Sequence, residues 1–78
     1  MDDDARRKAK LTKLLEIEGY DSLEALMEAV FGDSVSPAIC MNDECDFPCE
    51  MEPDQTEGWC EECRANTMMA APVLAGLI

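Results

Sequence analysis

The chain has 78 residues, a length that predicts one domain, and its single Trp, single Tyr and two Phe leave only a small apolar core. Eighteen acidic residues against six basic ones give a net charge of −12, with no histidine. A surface this acidic repels phosphate backbones and favours basic partners. A core this small needs stabilisation by a metal or by disulfides, and the five cysteines could provide either.

The N-terminal segment MDDDARRKAK is acidic, then basic, with no apolar stretch behind it, so it is not typical of a signal peptide. The most apolar run, residues 68–78, is too short to span a bilayer and is interrupted by Pro72 and Gly76. We therefore expect a soluble cytoplasmic protein with reduced cysteines. In that compartment, close cysteine pairs bind metal more often than they form disulfides.

The first predicted element is a helix over about residues 4–18. Leu11, Leu14 and Leu15 recur at helical spacing, and Gly19 is the expected stop. The helix carries a basic patch formed by Arg6, Arg7, Lys8, Lys10 and Lys13. The patch is either a contact for phosphate or an acidic partner, or a solvated face that offsets the acidic body.

A second helix is predicted over about residues 22–31, with Asp21 as its N-cap and Glu24 as the capping-box partner. Its apolar stripe comprises Leu23, Leu26, Met27, Val30 and Phe31. A stripe with this spacing predicts a core-facing side. The outer face carries Glu24 and Glu28 and no Arg or Lys, which disfavours a DNA-reading helix-turn-helix.

A second region follows this two-helix unit (residues 1–36) and extends over residues 37–78. Phe47, Cys49 and Met51 alternate with polar residues, which predicts a strand with one buried face. A turn and a returning strand near residues 67–70 complete the layout of a zinc ribbon. We therefore predict a small α+β metal-stabilised domain, with an N-terminal two-helix unit followed by a four-cysteine zinc ribbon.

The five cysteines include two close pairs about a hairpin's length apart, which is the spacing of a tetrahedral thiolate site. The predicted ligands of one Zn²⁺ ion per chain are Cys40, Cys45, Cys60 and Cys63. Cys49 is an alternative to Cys40, because the spacing of Cys45 and Cys49 is also in range. Its mid-strand position favours instead a buried apolar role beside Phe47 and Met51.

The motifs ICMNDEC, EPDQTEGWCEEC, NT and VLAGLI resemble a group of small bacterial and bacteriophage zinc-ribbon proteins without a settled function. The resemblance covers residues 39–78, a little over half of the chain. It implies a ribbon fold and a metal, with cysteines at Cys40, Cys45, Cys60 and Cys63 and usually none at Cys49. Arg64 departs from the pattern, because such proteins often have glycine there.

A closed site of four thiolates is structural, since no coordination position stays open for a substrate. Nor does the sequence offer a nucleophile beside a base or a Gly-rich phosphate loop, and we expect no enzymatic activity. Four thiolates also hold a single iron in rubredoxin-like electron carriers. Those sites use two Cys-x2-Cys loops followed by glycine, whereas this chain has a Cys-x4-Cys loop and Arg64.

The leading hypothesis is an acidic zinc-finger protein that acts as a protein-interaction module or regulator. It would be phage-encoded and would dock on a basic surface of host transcription or other nucleic-acid machinery in the host cytoplasm. The expected contacts are the acidic residues around the metal loops, namely Asp43, Glu44, Asp46, Glu61 and Glu62. The alternatives are a nucleic-acid-binding zinc ribbon that uses the basic helix, and a rubredoxin-like iron protein. The apolar run at residues 68–78 either completes the core or mediates homodimerisation.

Overall fold

The structure, a computed structural model, describes residues 3–32 and 35–77. Its elements in chain order are α1 (Asp3–Glu18), α2 (Leu23–Phe31), β1 (Ser36–Cys40), β2 (Pro48–Met51), β3 (Gly58–Cys60), β4 (Ala65–Ala70) and α3 (Ala71–Leu74). The predicted α+β class is confirmed. The predicted regions 1–36 and 37–78 include residues 1, 2, 33, 34 and 78, which lie outside the described residues, as does the side chain of Phe31 in the predicted stripe.

Helix α1 ends at Glu18, directly before Gly19, as the sequence predicts. Gly19 has a φ of 79°, and its N–H donates to the Glu16 carbonyl at 3.3 Å while the Tyr20 N–H donates to the Leu15 carbonyl at 2.9 Å. These two bonds form a Schellman motif, which satisfies the last carbonyl groups of the helix. Tyr20 then packs against the core, so the chain turns directly into α2.

The N-cap of α2 differs from the prediction by one residue. Ser22 has an extended backbone with φ −154°, and its hydroxyl accepts a hydrogen bond from the Ala25 N–H at 3.2 Å. The prediction of Asp21 as the cap is therefore wrong. Asp and Ser are equally good N-caps, so the choice depends on which residue has the extended conformation.

The sheet has the order β2-β1-β4-β3, with every neighbouring pair antiparallel. β1 and β2 form one hairpin, and β3 and β4 form the other. The hairpins join through β1 and β4, where Ile39 lies opposite Met69. Because β1 and β4 run in opposite directions, the end of β1 adjoins the start of β4. The two hairpin loops, residues 41–47 and 61–64, therefore meet at the same end of the sheet.

The central strand β1 is buried on both faces because its residues alternate between two apolar clusters. Ile39 packs with the helices, and Ala38 and Cys40 pack on the other side. The cluster on the helical side comprises Leu14, Leu26, Ile39, Ala71 and Leu74. The second cluster comprises Ala38, Cys40, Cys60, Met68 and Ala70. Leu14 of α1 and Leu74 of α3 thus pack in the same cluster, although they lie near opposite ends of the described chain.

The apolar C-terminal run contributes to that core, as one of its two interpretations predicts. All four residues of Ala71–Leu74 are buried, together with Met68 and Ala70, while Leu77 is 60% exposed. Homodimerisation stays a prediction. Within the described ranges, no helix is both long and apolar enough to cross a bilayer.

Strand β2 has only part of the buried face that its alternation predicts, because Phe47 and Met51 pack against the second cluster but Cys49 does not. Pro48, Cys49 and Glu50 are exposed, and Met51 is partly covered. As an edge strand, β2 has a neighbour on one side only. Cys49 is therefore not the buried bystander expected from the sequence. Phe47, which packs against the second cluster, precedes the strand.

Candidate metal centre

The two hairpin loops bring four thiols together. The sulfur atoms of Cys40, Cys45, Cys60 and Cys63 all lie within 4.8 Å of one another. The Cys40–Cys63 separation is 3.6 Å and the Cys45–Cys60 separation is 3.9 Å. A tetrahedral zinc site with Zn–S bonds of about 2.3 Å has sulfur–sulfur edges of about 3.8 Å. The cluster therefore fits a single metal ion of this size.

Backbone amide groups of both loops hydrogen-bond to the sulfurs. The Cys63 N–H donates to the Cys60 sulfur at 3.4 Å. The Asn42 and Phe47 backbone amides lower the pKa of the Cys40 and Cys45 thiols, respectively. Such bonds favour the thiolate, which is the form that binds metal. The loops are thus arranged to stabilise negative charge on sulfur.

Two side chains add to these amide contacts. The Thr67 hydroxyl lies 3.0 Å from the Cys40 sulfur, and the Asn42 side-chain amide donates to the Cys63 sulfur at 3.6 Å. Sequence reasoning placed residue 67 in the returning strand but missed its contact with sulfur. No short-range sequence signal predicts this contact, because it depends on the pairing of β1 with β4.

The second loop closes through Arg64. Its N–H donates to the Cys60 carbonyl at 2.7 Å, and its φ of 56° lies in the left-handed region. This region costs a residue with a Cβ roughly 1–2 kcal/mol. Glycine adopts this conformation without that cost.

The metal-free thiols ionise at very different pH values. Burial raises the pKa of Cys40, but hydrogen bonds from Thr67, Asn42 and the neighbouring thiols outweigh it and lower that pKa to about 7. The pKa of Cys63 is raised to about 12 by the nearby Cys45 and Cys40. For Cys45, the Phe47 amide lowers the pKa, but burial and the Cys40 and Cys60 sulfurs raise it overall. A cation at the centre would stabilise all the thiolates at once.

Cys49 stands apart from this cluster. It is exposed, and its thiol lies 3.7 Å from the Glu50 carbonyl. Cys40, its predicted competitor as a ligand, is fully buried in the group of four. The geometry therefore brings together the favoured set of cysteines and leaves the alternative ligand outside.

Both interpretations of the basic patch on α1 require exposed side chains, but its members differ in exposure. Lys10 is only 6% exposed, and its Nζ donates to the carbonyls of Asn42 and Cys45, each at 2.6 Å, and to Asp46 Oδ1 at 2.9 Å. Arg6 lies 3.5 Å from Asp43. Two members of the patch thus contact the first hairpin loop, residues 41–47. The remaining members, Arg7, Lys8 and Lys13, are half-buried or exposed.

These contacts also divide the acidic residues around the metal loops. Asp43 and Asp46 pair with α1, whereas Glu44, Glu61 and Glu62 are exposed at the tips of the loops. Trp59, immediately before Cys60, is 54% exposed. The predicted acidic rim is therefore narrower than the sequence suggests.

Fold and site define a small α+β protein with a four-cysteine cluster compatible with metal binding. Comparison with known proteins finds no matching family model, no matching curated protein and no matching solved structure.

Proposed function

We propose that the chain is a zinc ribbon in which Cys40, Cys45, Cys60 and Cys63 hold one structural Zn²⁺ ion. The proposal rests mainly on the two sulfur–sulfur separations of 3.6 and 3.9 Å, which bracket the edge of a tetrahedral zinc–thiolate site. Four thiolates fill the coordination shell, so we propose no catalytic step at the metal. The Cys-x4-Cys loop and Arg64 favour zinc over a rubredoxin-like iron.

Metal analysis of the purified protein tests this proposal. We expect about one zinc ion per chain, little iron, and loss of the metal when Cys60 is changed to Ser. Cys49→Ser is the matched control, because Cys49 is exposed and lies outside the cluster. A folded wild-type protein that does not bind zinc, or loss of zinc in both variants, would contradict the proposed site. A stoichiometric iron content with visible absorbance would favour the electron-carrier alternative.

We further propose that the zinc ribbon is a protein-interaction module that binds a basic surface. The proposed contact is a group of exposed residues at the two loop tips, here called the tip carboxylates: Glu44, Glu61 and Glu62. Unlike Asp43 and Asp46, they form no ion pair with α1 among residues 3–32 and 35–77. Together with the net charge of −12, they favour a basic partner by electrostatic complementarity. The metal would act indirectly, by fixing the loops that carry these side chains.

The resemblance of residues 39–78 extends this proposal to a phage-encoded regulator in the host cytoplasm. Transcription and other nucleic-acid machinery has basic surfaces shaped for phosphate backbones, and an acidic protein can occupy them. This step depends on analogy and not on the geometry of the site.

Affinity purification from the host, followed by binding measurements at increasing salt, tests the partner hypothesis. We expect binding to weaken with salt and with the triple change of the tip carboxylates to Gln. The matched control changes Glu16, Glu24 and Glu28 to Gln, which removes the same charge from exposed positions on the helices. Equal losses in both triple variants would point to general charge attraction and against a specific contact at the loop tips.

Nucleic-acid binding is the second candidate, because five of the six basic residues lie on one helix. Lys10 is buried against the metal loop, so Arg7, Lys8 and Lys13 would have to make the phosphate contacts. A mobility-shift assay at low salt compares the wild type with Arg7, Lys8 and Lys13 changed to Ala. If the wild type gives no shift, this candidate is excluded.

A further inference from the structure

We infer that Lys10 is a positioning residue of the metal centre, which holds the Cys40–Cys45 loop in its metal-binding conformation. The inference rests on the proposed zinc site. It assigns a helical side chain outside the ribbon to the retention of the metal. Lys10 then couples the docking of α1 to the occupancy of the site.

Each hydrogen-bond donor of the Lys10 ammonium has an acceptor. A lysine ammonium has three hydrogen-bond donors, and Lys10 has three acceptors: the Asn42 carbonyl at 2.6 Å, the Cys45 carbonyl at 2.6 Å and Asp46 Oδ1 at 2.9 Å. All three acceptors lie within or directly after the loop that joins two proposed ligands. No other element separates the helix from this loop.

The burial of Lys10 separates it from an ordinary surface lysine. Lys10 is 6% exposed, whereas Lys8 and Lys13 on the same helix are exposed. An ammonium group is buried at a high cost unless hydrogen bonds compensate for the lost water. The loop carbonyls provide that compensation only in the conformation that presents them to α1.

The same loop is held from its opposite side by the sulfurs. The Asn42 side-chain amide donates to the Cys63 sulfur at 3.6 Å, while the Asn42 and Cys45 carbonyls accept from Lys10. A loop bound to a sulfur of the cluster and to Lys10 has little freedom to swing a thiol away. Outer contacts of this kind orient the ligands of metal sites.

Charge alone does not explain the arrangement. The Asp46 carboxylate largely balances the Lys10 ammonium at 2.9 Å, so the pair adds little net charge beside the thiolates. Lys10 therefore acts chiefly through the hydrogen bonds that orient the loop. This distinction can be tested, because Asp46→Asn alters the charge but leaves both backbone carbonyls for Lys10.

The first test measures zinc release from the full-length protein into an excess of chelator. We expect Lys10→Met to release zinc about 10- to 100-fold faster, the range typical for loss of an outer contact. Lys8→Met makes the same chemical change at an exposed position and should leave the rate unchanged. Asp46→Asn should accelerate release less than Lys10→Met does, because both loop carbonyls still accept from Lys10. If Lys10→Met and Lys8→Met release zinc equally slowly, the inference is wrong.

A general loss of stability could also accelerate release, so Leu15→Ala serves as a second control. Leu15 is partly buried on α1 and packs with the helical cluster. In protein loaded with Co²⁺, the visible absorption bands report the geometry of the thiolate site. We expect Lys10→Met to change these bands and Leu15→Ala to preserve them. If only Leu15→Ala changes the bands, or if both variants give the same bands, Lys10 contributes to packing and does not position the ligands.

A second test uses the wild type, in case Lys10→Met does not fold. All three lysines of the chain, Lys8, Lys10 and Lys13, lie on α1, and acylation of each can be followed by mass spectrometry. In the zinc-loaded protein we expect Lys8 and Lys13 to react and Lys10 to be protected. Removal of zinc should expose Lys10. The inference is overturned if Lys10 reacts as fast as Lys8 with zinc bound, or if removal of zinc leaves its protection unchanged.

Failure of the inference and failure of the proposed function give different results. If the folded wild type retains no zinc, the proposed site is wrong and the inference with it. If the wild type retains zinc and Lys10→Met behaves as Lys8→Met does, the zinc site stands and only the role of Lys10 is rejected.

Discussion

The hydroxyl of Thr67 on β4 lies 3.0 Å from the sulfur of Cys40 at the end of β1. This contact crosses the junction of the two hairpins and is one of the bonds that lower the pKa of Cys40 to about 7 despite its burial. A β-strand side chain thus acts directly on a proposed metal ligand. The contact ties the pairing of β1 with β4 to the chemistry of the thiol.

Replacing Thr67 with Val should weaken zinc binding while preserving side-chain shape. Without the hydroxyl, the Cys40 thiolate loses a hydrogen bond, its pKa rises, and protons compete better with the metal. We expect about a tenfold loss of zinc affinity and zinc loss at a higher pH than in the wild type. A pH titration of bound zinc measures both effects. Thr56→Val, at an exposed position, is the control and should match the wild type.

Zinc binding should release protons at neutral pH. The pKa of Cys63 is raised to about 12 and that of Cys45 is also raised, so both thiols are protonated in the metal-free cluster near neutral pH. Both must ionise to bind zinc, and we expect release of at least two protons and a rise of affinity with pH. Calorimetry in two buffers of different ionisation enthalpy measures this number. Release of fewer than two protons would contradict the assigned ligands.

The stability of the metal-free fold should depend on pH with opposite signs for two thiols. The pKa of Cys63 lies above its ordinary value of 9.0, so its contribution to stability is present below pH 9 and is lost as pH rises toward about 12. The pKa of Cys40 is lowered to about 7, so its contribution is present above pH 9 and is lost as pH falls through 7. Denaturant unfolding of the chelated protein, with Cys63→Ser and Cys40→Ser as controls, separates the two trends.

Arg64→Gly should be neutral or stabilising. Glycine removes the cost of the left-handed conformation at residue 64, which is roughly 1–2 kcal/mol. It also increases the conformational entropy of the unfolded chain, which destabilises the fold by about 0.4–1 kcal/mol. The first effect matches or exceeds the second. Glu62→Gly in the same turn has no positive φ to relieve and should destabilise. Denaturant unfolding of zinc-loaded proteins gives the comparison. If both changes cost the same free energy, the backbone at residue 64 is not strained.

Leu26→Ala should destabilise the protein by about 2–5 kcal/mol, because the side chain is fully buried in the helical cluster and its removal leaves a cavity. Leu77→Ala, at a position that is 60% exposed, should change stability by less than about 0.5 kcal/mol. Thermal or denaturant unfolding of zinc-loaded protein measures both. A small effect at Leu26 would mean that α2 contributes little to the common core.

Much of the local structure can be predicted from the sequence because short-range rules determine it. The spacing of Leu11, Leu14 and Leu15 indicates the helix, and Gly19 marks its end. The spacing of the cysteines predicts the two pairs, and both pairs lie in loops at the ends of hairpins. The N-cap was off by one residue because Asp21 and Ser22 are chemically equivalent caps.

The environment of Cys49 and of the basic patch could not be predicted in the same way. Alternation along residues 47–51 indicates two faces of a strand but does not say whether anything covers one of them, and β2 is an edge strand with Cys49 exposed. Likewise, a row of basic residues indicates a charged helix without revealing which side chain is buried. That depends on what packs against each position.

For the metal loops, sequence alone determined the chemical type of the site, since two cysteine pairs at this spacing favour a thiolate cage wherever the loops come together. Tertiary structure decided the rest. Lys10 contacts residues 32 to 36 positions further along the chain, and Thr67 contacts Cys40 across 27 positions. Such contacts follow from strand order and helix docking, which depend on the burial of the whole apolar set and not on any short stretch of residues.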